Sequence, residues 1–138
     1  MGSFGNVLEN EILDHIFGKG AYTPPTIYIG LKTADPTDDN SGGTEPTIDT
    51  GGYARIVTDG DDWDAAAAGA LANAEILAFA ESTDAWSTGA TPLTHFILMD
   101  AASAGNMLAH GTVPIARTVN TAGVVLRFPV GELDVSLD

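Results

Sequence analysis

The chain has 138 residues, a size that fits one domain and is long enough to bury a core without disulfides or a structural metal. It contains no cysteine, which excludes a thiol nucleophile and a disulfide framework and leaves the redox compartment open. Nineteen Asp and Glu against five Lys and Arg give a formal net charge of −14, which favours solubility and repels the phosphate backbone, so nucleic acid is not an expected partner.

Met1 to Gly5 has no basic stretch of the kind that opens a signal peptide, and no apolar run approaches the ~18 residues of a membrane span. The expectation is a protein made in the cytoplasm, not exported through a signal peptide and without a membrane partner. Ser3 is placed to cap a helix within residues 1–20, in which Val7, Leu8, Ile12, Leu13, Ile16 and Phe17 recur at helical spacing and Gly18 and Gly20 form the stop. A helix this short is marginal alone, so Leu8, Ile12 and Ile16 are predicted to be buried against a sheet or a neighbouring subunit.

Beyond Pro24-Pro25 the chain reads as short strands. Residues 26–32 alternate Ile27, Ile29 and Leu31 with Thr26, Tyr28 and Gly30, the period-two pattern of a strand with one buried face. Further strands are predicted over residues 53–58, 75–80, 94–99, 107–113, 124–128 and 133–137, separated by turn signals at Ser41-Gly42-Gly43, Gly51-Gly52, Asp59-Gly60, Ala104-Gly105-Asn106 and Ala122-Gly123. The alanine run at 65–72 admits a short helix, weakened by Gly69. Residues 94–99 are apolar on both faces and read as a central strand leading into a hairpin. The fold class is therefore mainly β: an antiparallel sandwich or barrel of about seven to eight short strands with an N-terminal amphipathic helix. Residues 33–52 form a long acidic loop, and a loop of this length is usually functional or mobile. Heptads, Gly-X-Y tracts and internal repeats are absent, so the chain lacks the elements of an extended shaft.

Few constellations carry chemistry. Asp59, Asp61 and Asp64 place carboxylates on a turn and are calcium candidates by residue type, without the spacing or terminal Glu of an EF-hand; Asp35, Asp38, Asp39 and Asn40 form a second acidic cluster. His95 and His110 fall on strands that can be hairpin neighbours, and a zinc site would need Asp100 as a third ligand; packed histidines are the simpler reading, and no metal or cofactor is assigned. No nucleophile elbow, phosphate loop or His-Glu-x-x-His helix occurs, so no catalytic residues are assigned and the expected function is non-enzymatic. Of the aromatics, Trp63 and Tyr22 are flanked by turn residues and are the predicted exposed pair, with the remainder expected in the core. The interface candidates are Leu8, Ile12, Ile16, Tyr22, Asp35 and Trp63. Only Lys19, Lys32, Arg55, Arg117 and Arg127 are cationic, so some are expected to be engaged in internal pairing.

Leu8 to His15 (LENEILDH), Tyr22 to Pro25 (YTPP) and Thr33 to Asp38 (TADPTD) are followed by Gly51-Gly52-Tyr53-Ala54-Arg55, Thr94-His95-Phe96, Asp100-Ala101-Ala102 and the closing GELDVSLD at 131–138. Together these segments resemble a family of small tailed-phage virion proteins, often labelled tail-fibre-like. The resemblance implies a virion structural protein and leaves head and tail open. Compactness, acidity and the missing shaft favour a head decoration or cement protein on the outer capsid surface, with the major capsid protein and copies of itself, often as a homotrimer, as partners. The alternative is a tail or fibre-associated module that binds tail proteins or a receptor. Either the helix, Phe4 to Phe17, or the loop at 33–52 supplies the docking element in these readings.

Overall fold

Two long neighbouring strands, at 93–99 and 107–117, organise the sheet. The computed structural model describes residues 2–137. In chain order the elements are β1 (Gly2–Phe4), α1 (Asn6–Ile16), β2 (Ile27–Lys32), β3 (Ile56–Thr58), a 3-10 turn (Gly60–Asp62), β4 (Ala70–Ala72), β5 (Leu77–Ala78), β6 (Leu93–Met99), β7 (Met107–Arg117), β8 (Arg127–Phe128) and β9 (Asp134–Ser136). Seven strands form one sheet in the order β3-β2-β6-β7-β1-β9-β4, and β5 and β8 form a second.

The segment leaving β3 pairs with the residues around β4: Trp63 bridges Asn73, Asp64 N–H donates to Ala72 O at 2.9 Å and Ala74 N–H donates to Asp62 O at 2.8 Å. One continuous stretch thus links the two ends of the strand order, and the sheet curls towards a barrel. The mainly β expectation with an N-terminal helix holds, with one departure from a purely antiparallel sheet. β1 runs parallel to β9, with Gly2 opposite Val135, and antiparallel to β7.

The curl encloses Ile29, Leu31, Leu93, Phe96, Leu98, Val113, Val119, Leu133 and Val135. The β5–β8 pair adds Leu77 and Phe128 to the same core. Tyr53, Phe79, Trp86 and Phe128 form a chain of ring contacts with centroids 5.3–6.3 Å apart, mostly edge to face, the arrangement aromatic quadrupoles favour. On the other face of β6 and β7, Ile97, Met99 and Met107 form a smaller cluster against Tyr28. β6 is therefore covered on both sides, as its sequence predicts for a central strand.

Local expectations fail in two places. The alanine run is not helical: Ala68 and Gly69 both have positive φ (52° and 79°), and Ala67 and Ala70 exchange backbone hydrogen bonds across them. This two-residue turn matches the twist of paired strands, and it delivers Ala70–Ala72 to β9 in place of a helix. Ser3 does not cap α1 either. It lies in β1 opposite His110, and the N-cap is Gly5, with no side-chain cap bond. Gly5 donates its N–H to Leu108 O at 2.8 Å, so sheet pairing holds the chain up to Gly5 and the helix starts at Asn6.

Candidate functional site: the helix face and the pinned loop

The helix forms for the reasons its sequence gives. Glu9 in the first turn and His15 in the last suit the helix dipole. Gly18, at φ +69°, ends it, and Lys19 N–H donates to Asp14 O at 2.7 Å. Within the single chain its burial against the sheet is partial. Leu8 packs on the core and is half-buried, as is Ile12, whereas Ile16 is 68 % exposed. No helical residue after Ile12 is even half-buried, so β7 and its neighbours support the first two turns and the last turn runs clear of them. Leu13 and Phe17 are exposed beside Ile16. Phe4, Glu9, Ile12, Leu13 and Leu137 line an open groove of about 270 Å³ at the edge of this face.

Residues 33–52 behave in the opposite way. Thr33 N–H donates to Thr44 O at 3.1 Å and Gly42 N–H donates to Pro36 O at 2.8 Å, folding the loop back on itself. The buried Lys32 sends Nζ to Asn40 O (3.0 Å) and Gly42 O (2.7 Å); burial lowers its pKa, and Glu45 opposes that shift. Arg55 grips Glu45 through Nε (2.8 Å) and a terminal nitrogen (2.7 Å), while its other terminal nitrogen donates to Ala101 O and Ala104 O. Its side chain is only 4 % exposed. A single guanidinium therefore ties the loop to the turn between β6 and β7 in bidentate geometry. The Tyr53 hydroxyl completes the tie, accepting from Leu31 N–H (2.9 Å) and donating to Glu45 (3.0 Å). Burial, and then the Glu45 charge, push that phenol above its usual range and keep it neutral. Gly30 makes room for the arrangement, because a Cβ there would lie 2.6 Å from Glu45 Oε1. The loop is thus tied to the body of the chain.

The acidic clusters serve turns. Asp35 is exposed; its Oδ1 accepts from Thr37 N–H and lies 3.8 Å from His110 Nδ1. Asp38 Oδ1 lies 3.1 Å from His110 Nε2, and its carbonyl accepts from Asn6 N–H at the start of α1. Thr37 and then Ser41 donate to Asp39, holding its carboxyl at about 2. Asp59 and Asp62 form a reciprocal capping box around the 3-10 turn, so the carboxylates named as calcium candidates are engaged by backbone at Asp59, while Asp61 and Asp64 are exposed. Among the described residues, no group of three or more His, Asp and Glu is arranged to hold a metal ion. Asp100 accepts from the N–H and side-chain amide of Asn106, closing the β6–β7 turn. His95 contacts Thr94 and Thr112; burial lowers its pKa, Asp35 opposes that shift and His110 adds to it.

The predicted exposed aromatics are both half-buried. Trp63 donates its indole N–H to Thr58 Oγ1 at 3.1 Å and lines a cleft of about 370 Å³ with Pro24, Pro25, Ile27 and Asp59. Tyr22 donates its backbone N–H to His15 Nδ1 and lines a different cleft, with Val7, Glu11 and Asp100. The structure does not bring Leu8, Ile12, Ile16, Tyr22, Asp35 and Trp63 together as one site. Leu13, Phe17 and Leu137 lie with Ile12 and Ile16 on the α1 face, although they were not among the predicted interface residues. The helical period at 12, 13, 16 and 17 was the signal for Leu13 and Phe17. Leu137 offered none, since it reaches the helix only through the sheet.

The described residues thus form a curled sheet that carries an apolar helix face. The family model described as podophage GP4 fiber I protein gp80 matches residues 3–136, and the chain belongs to that family of phage fibre proteins. No curated protein matches the chain.

Proposed function

We propose that the chain is a structural module of a podophage tail-fibre apparatus, a compact β unit that attaches to other virion proteins instead of forming the shaft itself. The observation that carries this reading is the fibre-family match over residues 3–136. Two features support it: the sequence lacks shaft repeats, and the long loop is tied down while the end of α1 exposes Leu13, Ile16 and Phe17 on one face. Its role is to hold neighbours in position, so the purified chain is expected to show no glycan or peptide hydrolysis. Among the described residues, no helix is long and apolar enough to cross a membrane.

Decoration of the outer capsid surface, with the major capsid protein and a homotrimer of this chain as partners, is the second reading. The charge of −14, unsuited to a surface lining packaged DNA, supports it. The fibre description of the family weighs towards the tail, so the tail reading takes precedence over the capsid one that the sequence suggested. Imaging of particles with and without the protein separates the two. Tail-confined density, at a few to a few dozen copies and with unchanged heat release of DNA, is expected. Hundreds of copies over the head, with raised head stability, would overturn the tail assignment.

A further inference from the structure

The last turn of α1 presents Leu13, Ile16 and Phe17 at 54, 68 and 71 % exposure. Leu13 and Phe17 are four residues apart, as are Ile12 and Ile16, so the side chains lie in two adjacent rows on one face. The groove lined by Phe4, Ile12 and Leu137 continues that face. A contiguous apolar surface with an acidic surround is the mark of a contact surface and not of scattered exposed hydrophobics.

Charge decides what covers it. Glu9 and Asp14 border the face on the same helix and are both exposed, whereas Glu11 lies on the other side of the helix, in the cleft with Tyr22. Three of the five cations are already engaged: Lys32 by the loop carbonyls, Arg55 by Glu45 and Arg117 by Glu132. Lys19 and Arg127 remain on the surface. A second copy laid on this face would bring both sets of Glu9 and Asp14 together with little beyond Lys19 to offset them. Like-charge juxtaposition of this kind suppresses pairing, whereas a basic rim is attracted and steered.

We propose that the Leu13–Ile16–Phe17 face of α1 docks into an apolar pocket of a different virion protein, and that Lys and Arg side chains rim that pocket. The inference rests on the structural-module reading above, but it holds for a partner on either the tail or the head. Leu13 and Phe17 fill the pocket as hydrophobic anchors, Ile16 packs beside them, and Glu9 and Asp14 meet the basic rim.

The test uses the full chain expressed from the phage. Ile16→Ser/Phe17→Ser is expected to leave the circular dichroism and melting of the purified chain unchanged and to lower its incorporation into virions by at least about tenfold. Ile115→Ser, at a site 65 % exposed outside this face, is expected to incorporate normally. A photo-crosslinking residue at Ile16 should link, in purified virions, to a different protein at a peptide bearing Lys or Arg. Glu9→Lys/Asp14→Lys should also reduce incorporation. Wild-type incorporation of either double variant would overturn the proposal, as would crosslinks only to another copy of this chain. If the crosslinked partner is a head protein, this inference survives and the tail assignment does not.

Discussion

Helix α1 and the loop at 33–52 reverse the roles their sequences suggest. The loop, rich in Asp, Gly, Pro and Thr, is fixed by Lys32, Tyr53 and the Glu45–Arg55 pair, whose donors and acceptors match the carbonyls and N–H groups the turns leave unpaired. The helix, with a regular apolar face, is held over its first two turns only and leaves Ile16 and Phe17 in solvent. Loop composition therefore does not measure mobility when a buried cation sits at its base. An amphipathic period shows that a face needs cover and does not say which molecule provides it.

Substitutions at the base of the loop should give the largest effects and break the comparison if they do not. Arg55→Ala leaves Glu45, whose side chain is 17 % exposed, without its partner and frees the carbonyls of Ala101 and Ala104. A loss of about 3–5 kcal/mol in denaturant unfolding is expected, and a loss under about 1 kcal/mol would mean that the loop is not held as described. Tyr53→Phe keeps the ring in the aromatic cluster but removes the acceptor for Leu31 N–H. It should cost about 1–3 kcal/mol, read from the same unfolding curves.

Helix substitutions sharpen the other side. Ile12→Ala should cost the free chain about 1 kcal/mol, less than for a fully buried isoleucine, because the side chain is only half-buried. Phe17→Ser should change melting by no more than about 0.5 kcal/mol. A large loss of stability for Phe17→Ser would show that α1 is held along its whole length.

The smallest expected effect is titration of His95, whose pKa is lowered chiefly by burial. Above the ordinary histidine value both folded and unfolded states hold it neutral, and it adds no pH dependence. As pH falls below that value the unfolded chain takes up the proton first, so stability declines through the window down to the lowered folded value. His95→Gln should flatten this part of a stability curve against pH, relative to the parent. An unchanged slope would mean that other groups carry it.

Much of the architecture was legible in residue order. The alternation of Ile27, Ile29 and Leu31, the two-sided apolar run of β6 and the positions of the Gly-rich turns gave the mainly β class and the central strand. Three things were not legible, each for a physical reason. The alanine run reads as helix by propensity, but the positive φ of Ala68 and Gly69 and the pairing with β9 override it. β1 pairs with β7 and β9, more than 100 residues away in sequence, and three residues carry no period from which a strand can be read. Glu45 and Arg55 meet across a loop whose closure is set by tertiary contacts, so their spacing offered no motif. Of the candidate site, Ile12 and Ile16 were legible from helical spacing, while the extent of their exposure was not.

Hydrogen exchange of the free chain and of the chain in intact virions, compared peptide by peptide, tests most directly which of the two regions meets the neighbour. The loop at 33–52 should be protected to the same degree in both states, and the gain on assembly should concentrate in α1, greatest in peptides spanning Leu13 to Phe17. A gain confined to residues 33–52, with exchange in α1 unchanged, would contradict the account and make the loop the docking element.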